Sequence, residues 1–538
     1  MAPHPTAPHD DACYLALKAK DARFDGCFFT GVTSTGIYCR PVCRVRTPKR
    51  ENCRFFEHAA QAEQAGFRPC LRCRPELAPR GSASQPTGVA TAWSLQDASA
   101  ILAWQAAKLI DSPDAWGEAT PSVGNLAARL GVSDRHLRRI FEAHLGVSPL
   151  QYLQTRRLLC AKQLLCDTSL PVTQVAALSG FASLRRFNAA FEQHYRLAPS
   201  QLRRQAGAPG RADAQTGLRV RLAYRPPYDA ASMMDFLETR AIAGHEQVVH
   251  TPEGACLRST VRIERLGVTH QGWVSLRFDA PHCQVEAQVS ESLRGVLPLL
   301  LHRLRALLDL DADPRAINAV LHASFPLGDG LRVPGTLDGF ELAVRAVLGQ
   351  QITVAAARTL AARLVQRFGE PVATPWSGLD RLFPTPQALA QASADALGQL
   401  GIVRQRQAAI VALANAMQAR SLSLHIGADV PGTIKQLVAL PGIGNWTAHY
   451  IAMRALRWSD AFPAADVALH KAMGLAGRPH ADREAEQASR AWQPWRSYAV
   501  LRAWHTLAAA PASPNSPVAA QRRGAKAKAN PHTKTEAT

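Results

Sequence analysis

Four cysteines and one aspartate are the residues of this chain whose type and setting could do chemistry. Cys39 and Cys43 form a close pair in Cys-Arg-Pro-Val-Cys, and Cys70 and Cys73 form a second in Cys-Leu-Arg-Cys. Each pair can bring two sulfurs to one side of a tetrahedral ion, and a fold that closes one pair over the other completes a site for one zinc. A closed four-thiolate site is ordinarily structural, yet a thiolate is also a nucleophile, so both roles stand open on spacing alone. Cys13, Cys27 and Cys53 lie outside the pattern and read as ordinary thiols. Asp466 is a single acid in the apolar, proline-containing run Ala461-Phe-Pro-Ala-Ala-Asp. Upstream of it, Pro441-Gly442-Ile443-Gly444 separates a helix-like run, Thr433 to Ala439, from a second that begins at Asn445. Gly442 and Gly444 allow a tight turn and a close approach by another backbone. Asn445 is expected to cap the second helix, whose open amides would suit a phosphate.

Elements must position these groups, and composition bounds how many units supply them. With 538 residues the chain should hold three or four domains, and 47% hydrophobic residues suffice for packed cores. A formal charge of +20 and a pI near 10.0 point to a polyanion as partner. No apolar run is long enough for a bilayer and no signal peptide opens the chain, so a cytoplasmic protein with no membrane partner is expected. Eleven cysteines in that reducing setting are not a disulfide framework.

Patterning divides the chain into 1–78 with the cysteine pairs, a linker at 79–93, a helical segment at 94–204 and a second linker at 205–217. A strand-rich segment follows at 218–300, a helical one at 301–510, and a basic Pro/Ala-rich tail at 511–538 that reads as disordered. Within 94–204 one unit occurs twice. A short helix with an Ala-Ala pair ends at a glycine (Gly131, Gly180), and a serine (Ser133, Ser183) caps a basic second helix. Such a helix can enter the major groove, which makes His136, Arg138 and Arg139, with Arg185, Arg186 and Asn188, candidates to face DNA.

The text around the cysteines, CFFTGVTSTGIYCRPVCRVR and FRPCLRCRPE, closely resembles the N-terminal domain of the Ada family. The resemblance implies that Cys39 is both zinc ligand and irreversible acceptor of a methyl group from a DNA methylphosphotriester. Arg40, Arg44, Arg46, Lys49 and Arg50 would then hold neighbouring phosphates. Methylation would remove one negative charge from the centre, so damage would be converted into tighter DNA binding. The duplicated unit, with Gly-Val-Ser-Pro-Leu-Gln-Tyr-Leu echoed by Leu-Ala-Pro-Ser-Gln-Leu, resembles the AraC-type double helix-turn-helix. Promoter binding, with RNA polymerase as a further partner, is implied. The Pro-Cys-His-Arg motif of O6-methylguanine repair is absent from the sequence.

A second resemblance, to AlkA glycosylases of the helix-hairpin-helix superfamily, covers Leu218 to Ala508. It rests on Pro226-Pro-Tyr-Asp, Leu331-Arg-Val-Pro-Gly, Val344-Arg-Ala-Val-Leu-Gly-Gln, Leu440-Pro-Gly-Ile-Gly-Asn-Trp-Thr-Ala and Trp492-Gln-Pro-Trp-Arg-Ser-Tyr. The fold implied for the whole chain is multidomain, mostly α with α+β parts. It comprises a small zinc-binding domain, a double helix-turn-helix, a small TBP-like α/β domain and an all-α helix-hairpin-helix glycosylase domain. An enzyme acting on a base must take it out of the stack, so Trp446 and Tyr450, four apart on one helix face, with Trp504 and more distantly Phe236, are expected to form a base pocket. Electron-rich rings favour a cationic alkylated purine. Asp466 would stabilise the oxocarbenium-like sugar and orient the attacking water, and an already cationic leaving group needs no separate acid. The superfamily's strand-cutting members carry a lysine where Trp446 stands, so a monofunctional enzyme is expected. Gln351 occupies the wedge position, commonly leucine. The resemblance adds a monovalent cation at the hairpin and no organic cofactor. A bacterial, nucleoid-associated location is implied. The rival reading is a zinc-stabilised transcription factor whose C-terminal half binds damaged DNA without catalysis.

Overall fold

The structure, a computed structural model, describes residues 8–80, 95–116, 121–206 and 217–509. The two linkers and the basic tail read from the sequence lie almost wholly outside these residues.

In the N-terminal unit four short strands pair in the order Cys53–Phe56, Phe29–Val32, Ile37–Cys39, Arg68–Pro69. The first three are antiparallel, but Ile37–Cys39 runs parallel to Arg68–Pro69, with Tyr38 opposite Pro69. Parallel neighbours end on the same side of a sheet, so this pairing delivers Cys39 and Cys70 side by side. Phe56 and Phe67 cross closely over Gly31, where any Cβ would come within 2.8 Å of the Phe56 ring.

The helical segment contains the two repeats at Val123–Arg129 with Asp134–Leu145, and Val172–Leu178 with Leu184–Tyr195, joined by the long helix Pro149–Asp167. Ser133 and Ser183 accept from the His136 and Arg186 amides, as expected of capping serines. Gly131 and Gly180 hold φ of +67° and +84°, the left-handed turn that favours glycine. Leu137, Ile140 and Phe141 face inward on one second helix, and Phe187, Phe191 and Tyr195 on the other. The long helix also clamps the N-terminal unit. Lys162, fully buried, pairs with Glu76 and donates to the Cys70 carbonyl (3.2 Å), while Arg74 meets Asp167 at 2.6 Å.

The C-terminal half opens with a five-stranded antiparallel sheet in the order Leu218–Ala223, Gln284–Val289, Val268–Asp279, Gly254–Arg265, Glu246–Thr251. Leu218, Val220 and Leu222 alternate inward with exposed Arg219 and Arg221, the period-2 pattern of a half-buried strand. Helix Leu297–Leu307 packs its leucines on that sheet core. Its side chains thus belong with the strands, although helical periodicity divides the chain at 300. Beyond it, helices from Gly339 to Ala509 form two further apolar cores.

The halves share a buried polar seam. Arg225, with no exposed surface, donates to the carbonyls of Asp25 (2.7 Å), Pro79 and Arg80 on one side, and of Asp311 and Ala312 on the other. Arg303 pairs with Asp114 nearby, at 2.6 Å.

Candidate functional site

The first site is built at the strand ends. Cys39 closes its strand, a turn from Arg40 carbonyl to Cys43 amide (3.1 Å) brings Cys43 back, and the Cys70 amide donates to the Tyr38 carbonyl (2.9 Å). The four sulfurs of Cys39, Cys43, Cys70 and Cys73 lie within 4.8 Å of one another. Four soft donors converging at that spacing fit a tetrahedral zinc ion. Contact with Cys39 draws the Cys43 thiol down to about 7, whereas Cys39 itself is pushed up by Cys43 and Cys70.

The basic residues around this site divide. Arg44, Arg46 and Lys49 are exposed. Arg40 is not, which corrects its expected place at a phosphate. It is 4% exposed, donates through Nε to Asp25 (2.8 Å) and through Nη1 to the Cys73 carbonyl (3.0 Å), and so braces the site from within. Arg50 pairs with Asp11 at 3.0 Å. In the repeats, Arg138, Arg139, Arg185 and Arg186 project from the outer faces of their helices, with Arg138 on Asp134 (3.0 Å) and Arg139 on the His136 ring (3.2 Å).

The second site lies where the helix Asn445–Arg454 follows its hairpin. Gly442 holds φ of +74°, and a Cβ there would approach Ala409 and the Gln405 carbonyl at 3.2 and 3.3 Å. Gly444 is exposed, with open space where its Cβ would lie. The helix begins at Asn445, so Gly444 holds the cap position, with no side chain bonded to the first amides. Asn445 is therefore not the cap: a cap side chain must precede the first helical residue to reach its amides. Gln350, which local patterning gives no reason to single out, latches the hairpin by donating to the Gly442 carbonyl (2.9 Å) and Thr447 Oγ1 (3.1 Å). Its neighbour Gln351 is exposed at φ +55°, at the turn between helices Gly339–Leu348 and Val354–Phe368.

Asp466 is buried at the start of helix Val467–Ala472, whose Leu469 amide donates to its Oδ1 (2.6 Å). Two indoles complete its surroundings. Trp446 Nε1 donates to Oδ2 at 2.7 Å and Trp504 Nε1 to Oδ1 at 3.0 Å. Tyr450 stacks on Trp446 at 5.2 Å with an 8° interplanar angle, and Trp504 is tilted towards it at 6.5 Å. A sandwiched base needs ~7 Å between planes, twice an ordinary contact. A guest must therefore stack on an outer face of this pair. Burial alone would raise the Tyr450 pKa, but Arg454, donating to its oxygen at 2.7 Å, and Arg240 hold it below the usual tyrosine value. Phe236 joins less directly. The Arg240 and Arg454 guanidinium groups lie over its ring at 3.8 and 4.9 Å, and Arg454 also lies over Tyr450.

A thiol cluster suited to metal, paired helix-turn-helix units and a hairpin-helix beside a buried aspartate define a class: a DNA-binding regulator joined to a base-excision glycosylase. Four family models divide the chain accordingly: the metal binding domain of Ada over residues 12–76, a helix-turn-helix domain over 126–205, the AlkA N-terminal domain over 219–338 and the HhH-GPD superfamily of base excision DNA repair proteins over 344–497. The chain is 39% identical over 509 residues to a probable bifunctional transcriptional activator/DNA repair enzyme AlkA of Mycobacterium tuberculosis, covering 93% of this chain and 97% of that one. It is 36% identical over 290 residues to DNA-3-methyladenine glycosylase 2 of Escherichia coli, covering 53% of this chain and 96% of that protein. The regulatory protein Ada of Salmonella typhimurium is 32% identical over 196 residues, 36% of this chain and 49% of its own. The chain belongs to the family of bifunctional transcriptional activator/DNA repair enzymes of the AlkA type. Among the described residues no helix is long and apolar enough to cross a membrane.

Proposed function

We propose that this protein both senses and repairs alkylated DNA, with Cys39 and Asp466 as its two reactive groups. The observation that carries the repair half is the carboxylate of Asp466 under two indole N–H groups, beside a stacked aromatic pair on the helix that follows the hairpin. An alkylated purine flipped from the duplex stacks on the outer face of Trp446 or Tyr450, while Gln351 fills the gap it leaves. As the N-glycosidic bond breaks, its electron pair passes to the cationic base, and Asp466 stabilises the developing positive charge on the sugar. Water adds to the sugar carbon, its proton passes through Asp466 to solvent, and an abasic site remains. Amides at Asn445 and Trp446 hold a phosphate, and the hairpin would hold a monovalent cation beside it.

At the other end, Cys39, Cys43, Cys70 and Cys73 would hold a zinc ion, which when bound would keep the sulfurs as thiolates. The Cys39 sulfur attacks the methyl carbon of a methylphosphotriester. An S–C bond forms, the C–O bond breaks, and the diester leaves with its negative charge restored. Arg44, Arg46 and Lys49 hold adjacent phosphates. The modified protein then binds promoters through Arg138, Arg139, Arg185 and Arg186 and engages RNA polymerase.

Release of alkylated bases from methylated duplex DNA tests the repair half. Asp466→Asn keeps the shape but removes the charge, and is expected to slow release by at least ~100-fold, within the usual range for a general base. Release at the wild-type rate would remove Asp466 from the mechanism. No release by the wild-type protein would favour a half that binds damage without excising it.

A further inference from the structure

One cavity between the units belongs to neither site. It measures ≈ 520 Å3 and lies where all four units meet, between His58 of the N-terminal unit, Trp104 and Lys108 of helix Leu95–Asp111, Arg305 of helix Leu297–Leu307 and Trp495 of the glycosylase end. That volume is typical of sites for small organic molecules, which favour domain junctions and aromatic walls.

Charge within the cavity is nearly balanced by pairs made inside the protein. Arg156 meets Asp111 at 2.6 Å, Arg305 Nε meets Asp311 at 3.0 Å, and Arg457 pairs with Asp309. Burial, with Arg80 close by, pushes His302 down to about 3, so that ring is neutral. Lys108 is the exception. It is exposed to water where it lines the cavity, and among the described residues it forms no ion pair. The protein around it, together with nearby Arg457, depresses its pKa. A cation left without a carboxylate in a protein-walled cavity attracts an anion from solution more strongly than one in open water.

We propose that this junction binds a small aromatic monoanion, its ring between the tryptophans and its acidic head on Lys108. Such a ligand touches sensor and glycosylase together, so by mass action it stabilises their docked arrangement. A suitable probe is 1-anilinonaphthalene-8-sulfonate, a flat aromatic monoanion whose fluorescence rises on transfer out of water. The full-length protein is expected to bind one dye per chain at micromolar concentration, with displacement by salicylate or by phenyl phosphate. The two competitors distinguish a carboxylate from a phosphate head, and displacement by either one supports the site. Lys108→Met should weaken dye binding at least tenfold while leaving base release unchanged, and Lys108→Arg should restore it. Circular dichroism verifies that both variants fold. Equal dye affinity in Lys108→Met and wild type, or binding that does not saturate at one dye per chain, would overturn the proposal.

Discussion

Three donors converge on the Asp466 carboxylate, and two of them are indoles that also wall the site. This makes Trp504 a positioning residue as well as a surface for the base. Trp504→Phe keeps most of the ring and removes one donor to a charged oxygen, an interaction worth about 1.5–3 kcal/mol. The expected result is a kcat lower by roughly 10–100-fold with KM little changed. A fall confined to KM would mean that Trp504 only stacks. Trp446, Tyr450 and Asp466 were legible in the sequence because the two rings share a helix face and the acid stands alone in apolar text, whereas Trp504 entered only with the AlkA resemblance. The role of the indole nitrogens was not legible, since Trp504 reaches Asp466 across 38 positions of chain. Arg40 shows the converse: basic in local text, it is consumed by Asp25, 15 positions away.

Among the elements, the hairpin lends itself to dissection because its two glycines do different work. Gly442→Ala forces a side chain into a left-handed conformation at a cost of about 1–2 kcal/mol and crowds Ala409. It should lower the melting temperature and weaken duplex binding together. Gly444 has an ordinary φ of −86° and open space around it, so Gly444→Ala should melt like the wild type yet bind duplex more weakly, because the added methyl faces the approaching phosphate. Unchanged affinity in Gly444→Ala, measured by fluorescence anisotropy, would move the DNA contact elsewhere. Turn glycines and capping serines are local signals, which is why the hairpin and both helix-turn-helix repeats were readable. Asn445 was misplaced by one residue as a cap, an error at an element boundary where pattern is weakest. Gln350 left no local trace because its partners Gly442 and Thr447 lie more than ninety positions away.

On the scale of the whole molecule, the seam around Arg225 ties the N-terminal unit to the C-terminal half. No repeat or motif announces it, because a lone arginine after a strand reads as surface. Arg225→Leu leaves five backbone carbonyls without their donor, each costing about 1–3 kcal/mol if it stays buried. Calorimetry should show one unfolding transition in the wild type, and in the variant a lower and divided one, as the halves part before they melt. An undivided transition at the wild-type temperature would mean that the seam carries no stability.

The most direct measurement is a single incubation of the zinc-loaded protein with methylated duplex DNA, followed by peptide mass mapping of the protein and chromatography of the free bases. One added methyl on Cys39, with none on the other cysteines, together with released alkylated purines, is the expected result. A methyl on another cysteine, or on none with zinc still bound, would contradict the sensor. An absence of free bases would contradict the enzyme.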